Sequence, residues 1–312
     1  MNKCRIGLGF VITISAAMLL FSSCQRTKYT TYDPMPIPSY HIDGEKIRLA
    51  LVLGSGGSRG IAHLGVLSVF EENNIPIDLI VGTSAGSVIA ALYADQQSVM
   101  KIVPKLQVKN KKMLLDMDML NLRYGIYKGI AFKQFLGASL EAKTFEELKI
   151  PCIVVATDLV SGEEIAFGSG ELVPVLHASC ALPYFFHPVE IYGRVFVDGG
   201  VTNPIPVSVA KRQNPKMIVA VDITQALPKE LPTNLLGVAR RSMEICFQKI
   251  NGMCMEDADI IIIPDVKHID TFEDQSFSQL FEAGRVAAQA AIPAIKKQLN
   301  SLHQKKMIHI TD

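Results

Sequence analysis

Asp78-Leu79-Ile80-Val81-Gly82-Thr83-Ser84-Ala85-Gly86-Ser87-Val88-Ile89 is the stretch on which the reading of this chain turns. A branched-aliphatic run ends at Val81, a Gly-x-Ser-x-Gly pattern follows, and an Ala- and Val-rich segment starts at Ala85. A strand that becomes a helix over so few residues bends the backbone sharply at the serine. Glycines at 82 and 86 remove side chains that would clash there. The helix N-terminus then presents free N–H groups and the positive end of its dipole to developing negative charge. The bare pattern recurs by chance, and a serine at this place also caps helices. The strand before it and the helix after it make Ser84 a candidate nucleophile.

Working outward, Ile47 to Leu53, Ile77 to Val81, Pro151 to Ala156, Arg194 to Val197, Met217 to Ile223 and Ile260 to Ile263 read as strands. Gly60 to Asn73, Ala85 to Ala94, Leu235 to Met255 and Gln279 to Leu299 read as helices, the last interrupted by Pro293. Val/Ile runs separated by helical stripes belong to a parallel sheet covered on both faces. The expected fold is α/β: a single three-layer α/β/α domain with a mainly parallel central sheet over residues 47–300. Residues 100–148 are the least regular part. Their crowd of Met and Leu reads as an insertion packed on the core in preference to a lid that meets lipid.

Two further segments sit where strands end. Gly54-Ser55-Gly56-Gly57-Ser58-Arg59-Gly60 lies between a strand and a helix and exposes consecutive backbone N–H groups. A dinucleotide fingerprint starting at Gly54 fails because its last position is Arg59, and a phosphate-binding lysine loop fails for lack of Gly-Lys-Ser/Thr. An oxyanion hole needs only N–H donors, which Gly56, Gly57, Ser58 and Arg59 supply, with Gly54 and Gly60 shaping the loop. Arg59 itself is read two ways, as a contact for an anionic lipid headgroup or as a helix-start arginine tied to nearby backbone. Asp198-Gly199-Gly200 follows the strand ending at Val197, which places the aspartate at a carboxyl end, within reach of a serine on the same rim.

The 312 residues carry a net charge of +1 and are 49% hydrophobic, which leaves room for a sizeable core and gives no electrostatic footprint for nucleic acid. Residues 1–23 read as a lipoprotein-type signal peptide: Lys3 and Arg5 precede an apolar run, and Ser22-Ser23 precede Cys24, the expected lipidation site. Phe21 stands where such signals usually have leucine. Residues 24–46, with Pro34, Pro36 and Pro38, read as a tether from the membrane, or alternatively as a strap packed on the domain. Residues 301–312 read as a polar tail. Cys152, Cys180, Cys246 and Cys254 read as buried thiols, with no metal-ligand spacing among them.

Taken together, the glycine loop, the Ser84 turn and Asp198-Gly199-Gly200 resemble the patatin-like phospholipase family, in particular its bacterial branch related to neuropathy target esterase. Ala156-Thr157-Asp158-Leu159, Ala178-Ser179-Cys180-Ala181-Leu182-Pro183 and Phe186-His187-Pro188-Val189 are also similar to the family. The resemblance implies a Ser84–Asp198 dyad, an acyl-enzyme, an oxyanion hole from the glycine loop, and no cofactor or metal. It implies a phospholipid or lysophospholipid as substrate, while the expected signal and Cys24 imply a membrane surface as partner in a bacterial cell envelope; the oligomeric state stays open. Two alternatives remain at this point. One is a non-catalytic lipid-binding lipoprotein. The other is a Ser–Asp–His esterase drawing on His268, His303 or His309; His63 and His187 read as structural contacts.

Overall fold

Alternate residues of a strand face opposite ways, and in the central strands of this chain both sets are apolar. The computed structural model describes residues 35–107, 115–119, 122–224, 227, 229–266 and 276–308. Cys24, the expected signal segment and His268 lie outside the described residues. The elements in chain order are β1 (Ala50–Leu53), α1 (Ile61–Glu72), β2 (Leu79–Thr83), α2 (Ala85–Gln96), α3 (Val99–Leu106), α4 (Ile130–Ser139), β3 (Cys152–Asp158) and β4 (Glu164–Phe167). They continue with α5 (Leu172–Ser179), β5 (Val189–Ile191), β6 (Arg194–Asp198), α6 (Val207–Lys211), β7 (Ile218–Val221), α7 (Leu235–Cys254), β8 (Ile260–Ile262) and α8 (Ser276–Ile308).

The sheet runs β5-β6-β3-β2-β1-β7-β8, with β4 also on β3. It is parallel from β3 through β8, while β4, β5 and β6 pair antiparallel. The mainly parallel sheet therefore carries an antiparallel flank, two of whose strands (β4 and β5) have no apolar run that marks them in the sequence. On one face, Leu51, Leu53, Ile80, Val154, Val219 and their neighbours pack under α1, α2 and α8. On the other, Val52, Val81, Val155 and Ala220 meet, among the described residues, Ile205, α6, the end of α7, Ala166, Ala258, Tyr40 and Ile42. This thinner covering explains why residues 35–42 lie on the domain instead of standing off it as a tether. Met35 N–H donates to Tyr192 O at 2.9 Å and Ser169 Oγ to Pro38 O at 2.7 Å, while the Tyr40 ring fills the space left by Gly168.

One local feature decides the site. β3 pairs with β2 through residues 152–155, with β4 through 154–157 and with β6 through 156–158. A strand has two edges, and β4 overlaps both other partners, so β2 and β6 share the opposite edge. They meet head to head there: Thr83 stands against Val155 and Asp198 against Ala156, the next residue.

α8 runs through Pro293 without interruption and continues to Ile308. Leu280, Ala288, Ile292 and Ile295 hold it to the core, and that burial outweighs the one backbone hydrogen bond the proline removes. Residues 100–148 are mixed: Leu136, Leu140 and Phe145 are buried, but Met117, Met119 and Leu122 face outward. No helix among the described residues is long and apolar enough to cross a membrane.

α1 and α8 touch backbone to backbone. A side chain at Gly65 would strike the Phe281 carbonyl, and one at Gly284 the Ala62 carbonyl. Gly65→Ala and Gly284→Ala are each expected to lower stability by about 1–3 kcal/mol in urea unfolding. The double variant is expected to lose less than the sum, because the first methyl already widens the gap that the second must fill.

Candidate active site

Ser84 follows the last residue of β2 and precedes the first of α2, with φ 54° and ψ −125°. A non-glycine residue in that region is strained and needs surrounding structure to hold it. The holding is done by serines. The Ser84 N–H donates to Ser179 Oγ at 2.9 Å, and Ser179 Oγ donates onward to Val155 O at 2.6 Å. On the other side, Ser87 Oγ donates to the Ser84 carbonyl at 2.6 Å. Both glycines of the turn are required by contact. A side chain on Gly82 would lie 2.6 Å from Ser87 Cα, and one on Gly86 would strike the Leu53 carbonyl at the end of β1.

The Ser84 hydroxyl donates to Asp198 Oδ2 at 2.6 Å. The other carboxylate oxygen, Oδ1, accepts the Gly200 N–H at 2.7 Å. Asp198 is fixed along its backbone too: its N–H donates to Ala181 O at 2.9 Å and its carbonyl accepts from Thr157 Oγ1 at 3.0 Å. Gly199 is glycine because its α-carbon passes against the Val155 carbonyl and 3.0 Å from the Thr83 methyl. Both members of the pair are nearly closed to solvent, Ser84 at 9% and Asp198 at 2% exposure. Burial pushes the Asp198 carboxyl up to about 6, against the downward pull of its bonds from Ser84 and Gly200. Burial also raises the neighbouring Cys180 thiol, so it stays protonated beside the serine.

The glycine loop adjoins this pair: a side chain on Gly60 would lie 3.0 Å from Ala85 Cβ. Its base is tied down by Gly54 N–H to Val221 O and Ser55 N–H to Pro204 O. His63 adds a third tie, its Nε2 lying 2.8 Å from the Gly54 carbonyl. A carbonyl only accepts, so Nε2 carries the proton; burial lowers His63 to about 4, which keeps it neutral. Gly57 has φ 59°, a left-handed conformation suited to glycine. The Arg59 N–H donates to the Gly56 carbonyl at 3.3 Å, which makes it the least available of the four expected oxyanion donors. Its guanidinium folds back as well, Nε donating to the same carbonyl at 3.1 Å. Of the two readings of Arg59, the backbone tie is the one this geometry supports.

Asp198 spends its two oxygens on Ser84 and Gly200, and neither goes to a histidine. His268 and His309 lie outside the described residues, as does the side chain of His303, and His187, read as a structural contact, lies 3.9 Å from Asp118. Among the described residues no group of three or more His, Cys, Asp or Glu is placed to hold a metal. The cysteines need one correction. Cys152 is buried and Cys180 and Cys254 are half-buried, but Cys246 is exposed, because it sits on the outward face of α7. Ser179 was legible only as part of an Ala-Ser-Cys-Ala string, and nothing local in that string announces its bond to a residue far back in the chain.

The buried carboxyl has a stability consequence. Its folded value of about 6 lies above its unfolded 3.8, so its contribution is complete below the unfolded value and is lost as pH rises through about 6. Asp198→Asn keeps an acceptor for Gly200 and a donor for Ser84 but carries no charge. The variant is expected to exceed the parent in stability above about pH 6 by on the order of 3 kcal/mol, the gap closing toward about pH 4. Urea unfolding across that range measures it, and a gap independent of pH would assign the titration elsewhere.

A family model described as patatin-like phospholipase matches residues 51–211, more than half of the chain. The mouse patatin-like phospholipase domain-containing protein 6 is 30% identical over 229 residues, covering 72% of this chain and 16% of that protein. Lysophospholipase NTE1 of the yeast Scheffersomyces stipitis is 31% identical over 182 residues, covering 57% of this chain and 12% of that one. An uncharacterized NTE family protein of Mycobacterium tuberculosis is 31% identical over 176 residues, covering 56% and 49%. The chain thus spans about a sixth of the length of the mouse relative and about half of the mycobacterial one. Among solved structures, VipD from Legionella pneumophila is similar at 14% identity and a TM-score of 0.46, covering 91% of this chain and 73% of that chain. On the family match and the mouse relative, this chain belongs to the patatin-like phospholipase family.

Proposed function

We propose that the chain is a serine acyl-ester hydrolase of the phospholipase A or lysophospholipase type, working through Ser84 and Asp198. The observation that carries this reading is the 2.6 Å hydrogen bond from a strained, nearly buried serine to a carboxylate whose other oxygen is held by the backbone. Asp198 in its charged form takes the hydroxyl proton as Ser84 Oγ attacks the ester carbonyl. The tetrahedral oxyanion is stabilised by backbone N–H groups of Gly56, Gly57 and Ser58, with that of Ala85 at the start of α2. Collapse expels the alcohol, which takes the proton back from Asp198, and leaves an acyl group on Ser84. Water, deprotonated in turn by Asp198, attacks the acyl-enzyme and releases the fatty acid.

A lipid substrate follows from membership of the family, and the relative named as a lysophospholipase favours phospholipid or its lyso form. The expected signal and Cys24 add a membrane-anchored lipoprotein of the cell envelope to the proposal.

The test is fatty-acid release from phospholipid and lysophospholipid vesicles by the full chain. Ser84→Ala and Asp198→Asn are each expected to lower release by at least about a thousandfold, without loss of fold. Because the base must be charged, kcat/KM is expected to rise with pH through about 6 and to level off above it. A folded parent that releases no fatty acid and takes no fluorophosphonate label would transfer the proposal to a lipid-binding role without catalysis.

A further inference from the structure

α7 is built inside out. A helix on the surface of a soluble domain turns its apolar residues inward and its polar ones to water. Here a row at helical spacing on the protein side, Arg241, Glu244, Gln248 and Asn251, is polar, flanked by half-buried Met243, Phe247, Ile250 and Cys254, and Asn251 is only 3% exposed. The outward row, Leu235, Val238, Ile245 and Met253, is apolar, with Leu235 86% and Met253 76% exposed. Leu231, just before the helix, is 85% exposed and extends the same apolar surface. Ser242 and Lys249 are the polar residues set among them, and Lys249 is exposed.

The position of the helix gives the inversion a meaning. A side chain on Gly200, whose N–H holds Asp198, would lie 3.3 Å from the Phe247 ring. Glu244 and Arg240 act electrostatically on Arg59, in the glycine loop. The polar row therefore looks toward the segments that bear the dyad and the expected oxyanion donors, and the apolar row looks away from them. Other exposed apolar side chains stand on segments joined to the same rim. Leu159 and Val160 follow the end of β3, and Tyr184 lies three residues beyond the Ala181 carbonyl that holds Asp198.

We infer that the outward face of α7 is a lipid-contact surface, which lies on a phospholipid bilayer and sets the rim of the Ser84–Asp198 site against it. The inference rests on the acyl-hydrolase reading, because a bilayer held beside the dyad has a purpose only if the ester comes from lipid. A bilayer fits this face better than a second copy of the chain does. The apolar residues are spread over a helix and separate turns, which a fluid surface accommodates without shape complementarity. Lys249 among them suits anionic headgroups, its stem lying along the apolar surface while its ammonium reaches outward.

The chain has no tryptophan, so one introduced by substitution reports from a single place. Leu235→Trp and Val238→Trp are compared with Val286→Trp, at an exposed site on α8 beside edge strand β8. Each full-length variant is mixed with phosphatidylcholine–phosphatidylglycerol vesicles, and with the same vesicles brominated on the acyl chains. An interfacial helix buries its apolar face about 5–10 Å into the headgroup–acyl boundary, so bromine is expected to cut the Leu235→Trp and Val238→Trp emission by at least about half. The Val286→Trp emission is expected to stay within the error of its bromine-free control. The readout is local, so it does not depend on how the amino terminus meets the membrane. Equal quenching at all three sites, or none at the two on α7, overturns the inference. So does a blue shift without lipid that grows with protein concentration alongside a dimer mass in light scattering. Quenching in a chain that releases no fatty acid would sink the catalytic reading and leave the contact surface standing; release without quenching would do the reverse.

Discussion

Two strands running in opposite directions share one edge of a third only if each stops where the other begins. β2 and β6 do this on β3, ending at Thr83 and Asp198 against the consecutive residues Val155 and Ala156. Everything at the site depends on that junction. It brings residues more than a hundred positions apart within one hydrogen bond, and it places both at strand ends, where side chains project beyond the sheet. It also removes any freedom to relax. Gly199 passes against the Val155 carbonyl, and the same carbonyl accepts from Ser179, which in turn holds the Ser84 N–H. The positions of Ser84 and Asp198, the proposed nucleophile and base, are therefore set by one residue of β3.

A rigid junction of this kind lets the domain hold two unfavourable things. One is the backbone of Ser84 at positive φ, where a side chain is strained by roughly 1–3 kcal/mol. The other is a carboxylate 2% exposed, with two hydrogen bonds and, among the described residues, no cation paired with it. The two are linked. The strained turn lifts the hydroxyl clear of the sheet, and the dry carboxylate is a stronger base toward it than a hydrated one would be. A histidine relay shifts the proton by way of a group that titrates near neutrality; here desolvation alone moves the carboxylate toward that range. The stability lost to the buried charge is the physical counterpart of its basicity.

Much of this was legible in the sequence because it is local. Gly54, Gly82, Gly86 and Gly199 announce close backbone approaches near the ends of Val/Ile runs. What stayed hidden depends on partners distant in the chain. Glu164–Phe167 and Val189–Ile191 are strands because β3 and β6 offer them edges; each is short and includes a glutamate, so neither stands out as an apolar run. Residues 35–42 read as a tether by composition, but the thin face of the sheet needs a cover, and Tyr40 and Ile42 supply part of it. Pro293 read as a helix breaker, yet the apolar contacts of α8 on either side of it hold the helix together. Arg59 stood open between a headgroup contact and a backbone tie, because the fold of its guanidinium onto Gly56 depends on the conformation of the loop.

α7 belongs to a different class of omission. Its pattern was fully present in the sequence, with polar residues at 241, 244, 248 and 251 and apolar ones at 235, 238, 245 and 253. Helical periodicity fixes that two faces exist; it does not fix which one meets the protein. The usual assumption turns the apolar face inward, and near a hydrolytic site that assumption weakens. On the proposed mechanism water must reach an acyl-enzyme, so an element bordering Ser84 and Asp198 gains from polar residues on its inner side, and apolar residues of an amphipathic helix then go outward. An outward apolar face is unfavourable in water and favourable on lipid. A site that takes its ester from a bilayer and its second reactant from water therefore has a physical reason to build a bordering helix with the polarity of α7.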